Sequence, residues 1–329
     1  MKSLAYEHAH SVDDASNAAA SGAALLAGGT DLIPRLKLGL ATPDRLVDLK
    51  AGHLPTGISI EDGRLVIGAL ATLADVSSSE IVAEHATALA EAAQSAATVQ
   101  IRNRATVAGN LLQEPRCSYY RNVDVDCWRK GGTGCPAETG RNEHHAIFDS
   151  GPCRAVHPSD IATALVALGA SVDIASSSGE RTVSISELLA PPTEDRRSEH
   201  TLHAGEVIVG LTMPIHPGRG SAYIKEMDRA TWAFALVGVA ATIDVVDRTS
   251  EIRIAAGGVA STPIRLAEIE ERLRSSAGDD WSPSMFRVTN AEPLTENGYK
   301  VPLLHAATQR AAERGRARSQ NRGAQDFSR

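Results

Sequence analysis

The sequence predicts an α+β protein of two domains, and three observations carry that expectation. At 329 residues the chain is longer than one ordinary domain and long enough for two, each with its own core. Short apolar runs of strand length alternate with stretches of helical spacing on both sides of a polar, proline-containing segment from Pro191 to Glu199. Apolar residues make up 43% and charged residues 22%, an ordinary balance for a chain that folds in water.

Taken in order, Ala23 to Ala27 reads as a strand that enters a Gly-Gly turn, with a helix over Leu32 to Leu40 and a strand over Arg45 to Leu49. Arg64 to Leu70 is a further strand, and Ser79 to Ala97 reads as one amphipathic helix opened by a serine cap. From Gln113 to Pro158 the periodicity is lost in favour of Cys, Gly, Pro, Arg and Asn. A loop that long inside a domain needs something to tie it down. Regular structure resumes with a helix from Pro158-Ser159-Asp160 through Leu168 and a strand over Ala170 to Ala175, so the segment interrupts a continuous domain. Beyond the polar segment, strands are expected at Glu206 to Met213, Ala222 to Glu226, Phe234 to Val246 and Glu251 to Val259, with helices at Arg265 to Ser275 and Tyr299 to Arg316. The resulting division is a first domain over 1–190 with an insertion at 113–157, a second domain over 200–316, and a basic, disordered tail over 317–329.

Several function classes are excluded. A net charge of -7 argues against a nucleic-acid-binding body, and the basic run from Arg310 to Arg322 reads as solvated tail. Even the alanine-rich region from Ala83 to Ala97 is interrupted by Glu84, His85, Glu91 and Gln94, so no membrane insertion is expected. The first residues lack the apolar core of a secretory signal, which makes a cytoplasmic location the expectation, with periplasmic export alongside a signal-bearing partner as the alternative.

Two loops and one cysteine cluster carry the candidate chemistry. In Leu25-Leu26-Ala27-Gly28-Gly29-Thr30-Asp31-Leu32 the paired glycines let backbone N–H groups approach an anion such as a pyrophosphate, although two glycines after a strand are more often only a tight turn. The spacing matches neither a dinucleotide-binding G-x-G-x-x-G nor a P-loop. The second loop, Ile101-Arg102-Asn103-Arg104-Ala105-Thr106-Val107-Ala108-Gly109-Asn110, offers groups suited to phosphate or ribose. All four cysteines, Cys117, Cys127, Cys135 and Cys153, fall in the insertion with nine, seven and seventeen residues between them. Spacing leaves an iron-sulfur cluster, zinc, and free or disulfide-bonded cysteines open, because it shows no close C-x-x-C pair and no common ferredoxin pattern. His144 and His145 read as solvated loop histidines, while Trp128 and Tyr119-Tyr120 read as aromatic cover over the loop.

The two loops in this order, followed by Ser159-Asp160, then Lys225-Glu226-Met227-Asp228-Arg229, Gly257-Gly258-Val259-Ala260 and Asn297 to Lys300, resemble the flavin subunits of the xanthine oxidase (molybdenum hydroxylase) family over nearly the whole chain. The resemblance implies an FAD-binding domain of the vanillyl-alcohol-oxidase (PCMH) type followed by a smaller α/β domain of the CO dehydrogenase flavoprotein type. It implies FAD contacts at Leu26, Ala27, Gly28, Gly29, Thr30, Asp31, Leu32 and Ile33, at Thr106, Gly109 and Asn110, and at Asp160, Ile208 and Lys225. From its own surroundings Lys225 reads equally well as an exposed lysine at a strand end. Asp31 and Ala108 depart from the family pattern, which more often has Asn or Ser and a second glycine. The insertion resembles that of the aldehyde oxidoreductase flavin subunits, which implies a [4Fe-4S] cluster on Cys117, Cys127, Cys135 and Cys153.

The function so implied is electron transfer within a heterotrimer. A large molybdenum-cofactor subunit and a small [2Fe-2S] subunit would feed electrons to FAD here, for delivery to an external electron acceptor. No side chain is expected to act as acid, base or nucleophile. The alternatives are a stand-alone FAD-dependent oxidase and a zinc-stabilised binding module without redox activity.

Overall fold

The structure is a computed structural model that describes residues 3–52, 54–148, 151–246, 249–276 and 281–326. The chain opens with β1 (Ala5–His8), α1 (Val12–Ala20), β2 (Ala24–Leu26), α2 (Leu32–Lys37) and β3 (Arg45–Asp48). These strands form a small parallel sheet in the order β1-β3-β2. Ser11 starts α1 by accepting the Asp14 N–H, and Asp13 and Asp14 place negative charge where the helix dipole favours it.

Next come β4 (Ile58–Glu61), β5 (Arg64–Gly68), α3 (Leu73–Ser78), α4 (Glu80–His85), α5 (Thr87–Ser95), α6 (Val99–Arg102) and α7 (Val107–Leu111). Thr72 and Asp75 form a reciprocal capping box at α3. The single helix expected over Ser79 to Ala97 is instead α4 and α5, broken at Ala86. The cause is tertiary. The Ser221 hydroxyl accepts the Ala88 N–H at 3.0 Å, and Arg322 donates to the Glu84 carbonyl, so two backbone groups needed by a continuous helix are satisfied from elsewhere.

After the insertion, which contains only two short 3-10 turns at Trp128–Lys130 and Pro136–Glu138 among its described residues, the chain forms α8 (Asp160–Leu168), β6 (Ser171–Ser176), β7 (Gly179–Ser184), α9 (Ile185–Leu188) and β8 (Val207–Pro214). Ser159 caps α8 and Gly169, at φ 71°, ends it. The second sheet is antiparallel in the order β4-β5-β8-β6-β7. Since β8 lies between β5 and β6, the first domain extends to Pro214, not to the expected boundary at 190. The polar segment that suggested a linker is folded internally: Thr193 and Arg196 exchange backbone hydrogen bonds, and Glu199 is buried.

The second domain contains β9 (Gly220–Glu226), β10 (Val237–Val246), β11 (Thr249–Gly257), β12 (Ile264–Arg265), α10 (Ala267–Arg274) and α11 (Lys300–Asp326), with an antiparallel sheet ordered β12-β11-β10-β9. Strand alternation gives β10 two buried faces. Val237, Val239, Ala241 and Ile243 join the core under α10 and α11, and Ala240 joins the core around α5 and α8. The two domains therefore share apolar surface, which fixes their relation.

The expected disordered tail is helical to Asp326; residues 327–329 lie outside the described residues. Arg318 donates to the Ser221 carbonyl and to Glu91, and Arg322 to the Arg219 carbonyl, so arginines that read as solvated are docking groups. At Gly220 the helix comes so close that a Cβ would lie 2.1 Å from the Gly315 carbonyl oxygen and 2.3 Å from the Ser319 nitrogen. Gly220→Ala is expected to destabilise the fold by about 2–3 kcal/mol in chemical denaturation. Gly57→Ala, where a Cβ meets nothing within 4 Å, should stay within about 0.5 kcal/mol of the parent.

Candidate functional site

The first loop is shaped by close backbone contact. A Cβ on Gly28 would lie 1.9 Å from the Arg104 carbonyl oxygen, so the glycine turn rests directly on the second loop, and Gly29 takes the left-handed conformation at φ 75°. In the second loop the Thr106 hydroxyl accepts the Gly109 N–H at 3.2 Å and caps α7. The two loops enclose a cavity of about 280 Å³ lined by Ala27, Gly28, Gly29, Thr30, Asp31 and Leu32 on one side and Thr106, Gly109 and Ile208 on the other. Leu26 and Ile33 flank Gly29 without lining the cavity, and Asn110 accepts the Ser159 hydroxyl at 2.6 Å, tying the second loop to α8. Arg35 also lines the cavity, and its buried Nε has no hydrogen-bond partner. A glycine cradle with an unsatisfied guanidinium donor fits a diphosphate.

Asp160 lines a second cavity of about 410 Å³ and is paired with Lys225, which is not among the lining residues. Lys225 is buried, contrary to the exposed reading, and its Nζ donates to Asp160 Oδ2 at 2.8 Å and to the Ser95 carbonyl at 3.0 Å. Tyr223 donates to the other carboxylate oxygen at 2.6 Å. Burial, then the Asp160 charge, raises the Tyr223 pKa well above its usual value. Tyr223 is a site residue that the motifs missed; the available signal was its position two before Lys225, on the same face of β9. Gly238 makes room for it, since a Cβ there would lie 2.3 Å from the tyrosine oxygen. His157 is buried with its pKa pushed down to about 4 by burial, and its Nε2 donates to the Leu111 carbonyl at 3.1 Å, so it is neutral.

The insertion closes one wall of the second cavity with Arg116, Cys117, His144 and His145. The four cysteines are free thiols, Cys127 and Cys153 buried and Cys117 and Cys135 half-buried, so the disulfide alternative is not realised. Burial pushes the Cys153 thiol up to about 12 and raises that of Cys117. Among the described residues, no three Cys, His, Asp or Glu side chains converge as a ready metal-ligating set. Four thiols equal in number the protein ligands that a [4Fe-4S] cluster takes, but the described residues do not gather them into a ligating set. Trp128 packs with Cys153, Ala155 and Cys117 as an apolar cover. His145 is not solvated: it is buried, its Nε2 lies 3.3 Å from Cys117 Sγ, and its Nδ1 has no partner.

Polar side chains hold this loop. Arg129 is paired with Glu114 and Glu199; burial works against its charge, but the two carboxylates outweigh that and raise its pKa. Asp31 is ion-paired with Arg116 at 2.9 Å and accepts from Arg121 at 2.9 Å and from the Glu114 N–H at 3.2 Å. On the other side Lys300, fully buried, donates to the carbonyls of His144, His145 and Gly258 at 3.0, 3.0 and 2.7 Å. Burial lowers its pKa to about 7.

Comparison with known proteins agrees with this geometry. A family model described as the FAD binding domain in molybdopterin dehydrogenase matches residues 2–216, and one described as the CO dehydrogenase flavoprotein C-terminal domain matches residues 222–296. The aldehyde oxidoreductase FAD-binding subunit PaoB of Escherichia coli is 35% identical over 92% of this chain and 95% of its own length. The carbon monoxide dehydrogenase medium chain of Hydrogenophaga pseudoflava is 30% identical over 78% of this chain and 74% of its own. A solved structure of carbon monoxide dehydrogenase from the same organism superimposes with a TM-score of 0.74, covering 96% of this chain and 98% of that one at 26% identity. The chain belongs to the family of FAD-binding subunits of molybdenum hydroxylases.

Proposed function

We propose that this chain is the electron-transferring flavin subunit of a three-part molybdenum-dependent hydroxylase, acting on an aldehyde or an aromatic or N-heterocyclic substrate, and that its cysteine loop holds a [4Fe-4S] cluster. Its partners in this reading are a large molybdenum-cofactor subunit and a small [2Fe-2S] subunit, with an external acceptor taking the electrons. The observation that carries the reading is the placement of Cys117 and Asp160 on the wall of one cavity, next to the cavity formed by the glycine turn and the Thr106 loop. Bound FAD would supply the redox chemistry that no side chain here provides, and the cluster would supply a one-electron store beside it.

The chain's own residues bind, orient and exclude water. Gly28, Gly29, Thr106 and Gly109 would hold the diphosphate, and Arg35 would meet it with its free donor. Asp160 would face the flavin, with Lys225 and Tyr223 holding its carboxylate and the Ser95 carbonyl holding Lys225. Cys117, Cys127, Cys135 and Cys153 would ligate the cluster, and Trp128 would keep water from it.

The decisive measurement is the visible spectrum of anaerobically purified protein with iron, sulfide and zinc analysis. Flavin bands over an iron-sulfur shoulder and about four irons per chain are expected, with iron lost in Cys135→Ser while flavin remains measurable. Zinc in place of iron would remove the cluster; folded protein without flavin would remove the whole reading. For the buried pair, Lys225→Met is expected to cost about 3–5 kcal/mol of stability because it leaves Asp160 unpaired. The double change Lys225→Met with Asp160→Asn should cost less than the single one in denaturant titration.

A further inference from the structure

Asp31 sets an electrostatic problem at the first cavity. Asp31 belongs to the wall where the diphosphate would bind, and its side chain makes no capping bond to α2. An unneutralised carboxylate there would repel the ligand. Two of the groups that neutralise it come from the insertion. Arg116 and Arg121 each reach Asp31 Oδ1 at 2.9 Å, the Glu114 N–H reaches Oδ2 at 3.2 Å, and Arg35 of α2 stands at 3.9 Å. Arg129 and Glu199 balance each other behind them. Three guanidiniums, those of Arg35, Arg116 and Arg121, thus face the two carboxylates of Asp31 and Glu114, which leaves one positive charge in excess.

The positions of these arginines are set by the cysteine loop. Arg116 precedes Cys117, and its guanidinium lies over the Phe234 ring at 5.1 Å. Arg121 donates its backbone N–H to the Cys117 carbonyl at 2.9 Å, and its side chain is held by the carbonyls of Pro115 and Glu114 at 2.8 and 3.0 Å. Lys130, three residues after Cys127, fixes the same turn through the Tyr119 carbonyl at 3.1 Å. A rearrangement at Cys117 therefore moves the groups that neutralise Asp31.

We propose that in this chain the cysteine loop controls FAD binding, with Arg116 and Arg121 acting as positioning residues that neutralise Asp31 beside the diphosphate. The inference rests on the reading of the glycine cavity as the FAD site, and it makes the two cofactor sites interdependent: loss of the metal loop's order weakens FAD, and the dependence runs through one carboxylate. Removing that carboxylate should remove the dependence.

The test is a double-mutant cycle on the full-length chain. FAD is titrated into flavin-depleted protein by fluorescence quenching, with circular dichroism confirming that each variant is folded. Arg121→Met is expected to weaken FAD binding at least tenfold in the parent background but less than threefold in the Asp31→Ser background, and Asp31→Ser alone should tighten binding severalfold. Cys135→Ser should likewise weaken FAD binding, again less so with Asp31→Ser. If Arg121→Met costs the same factor in both backgrounds, or nothing in either, the coupling through Asp31 is overturned while FAD binding stands. If folded parent protein binds no FAD, the inference and the reading beneath it both fail. If the parent binds FAD but holds no iron, the arginine cycle still decides the inference.

Discussion

The burial of Arg129 between Glu114 and Glu199 is the interaction on which the rest of this structure depends. Among its described residues the insertion has almost no periodic backbone bonding, so helix or sheet ladders do not hold its shape. A buried guanidinium with two carboxylates is a directional anchor: its planar donors fix both partners, and loss of either carboxylate would leave charge stranded. Glu114 lies at the start of the loop, Arg129 in its middle and Glu199 on a segment of the first domain. One side chain thus pins a long loop to its own domain. The opposite side of the loop is pinned to the second domain by Lys300 and Asn297, which donate to backbone carbonyls of residues 144–146. The loop is a bridge between the domains, held by these polar contacts and by Ile147 and Phe148 in the second domain's core.

That arrangement explains why the two cavities lie where they do. The helices α5 and α8 pack against the second domain's sheet and share its core, so the start of α8, with Ser159 and Asp160, is fixed at the domain junction. The second loop reaches it through Asn110 and Ser159, and β9 reaches it through Tyr223 and Lys225. Asp160 is consequently positioned by three segments that are far apart in sequence. The glycine turn, resting on Arg104, places the first cavity on the other side of the same loop.

The sequence made legible what is local and periodic. The Ser159 cap and helix to Leu168, the strands β5, β6 and β8, the glycine turn and the Thr106 loop could be read because each is specified by neighbouring residues, whereas the edge strands β4 and β7 of the same sheet were not. The break at Ala86 could not, because alanines on both sides favour a helix and the groups that interrupt it, Ser221 and Arg322, are remote. The docking of the C-terminal arginines was hidden for the same reason: a basic run looks solvated until Glu91 and the carbonyls of Ser221 and Arg219 are brought to it. Tyr223 lay outside any motif. The misplaced domain boundary had a different cause, since polar residues and prolines mark a compact turn as readily as a linker.

The protonation states around Asp160 bear on what kind of chemistry this site can host. His157, at about 4, is neutral near pH 7, and Tyr223, raised by burial and by the adjacent carboxylate, keeps its proton there. Neither group changes charge across the physiological range, and both are committed to structural hydrogen bonds. A site built for general acid–base catalysis would hold a group poised near the working pH and free to reach a substrate. Lys300 and Glu199 are the buried groups nearest that condition, each at about 7, but the Lys300 ammonium is directed at three backbone carbonyls and the Glu199 carboxylate is held by Arg129, so both serve the loop. The side chains around Asp160 thus provide a constant charge environment, which suits a subunit whose reactivity resides in a bound cofactor: steady charge nearby holds the cofactor's electron affinity steady while electrons come and go.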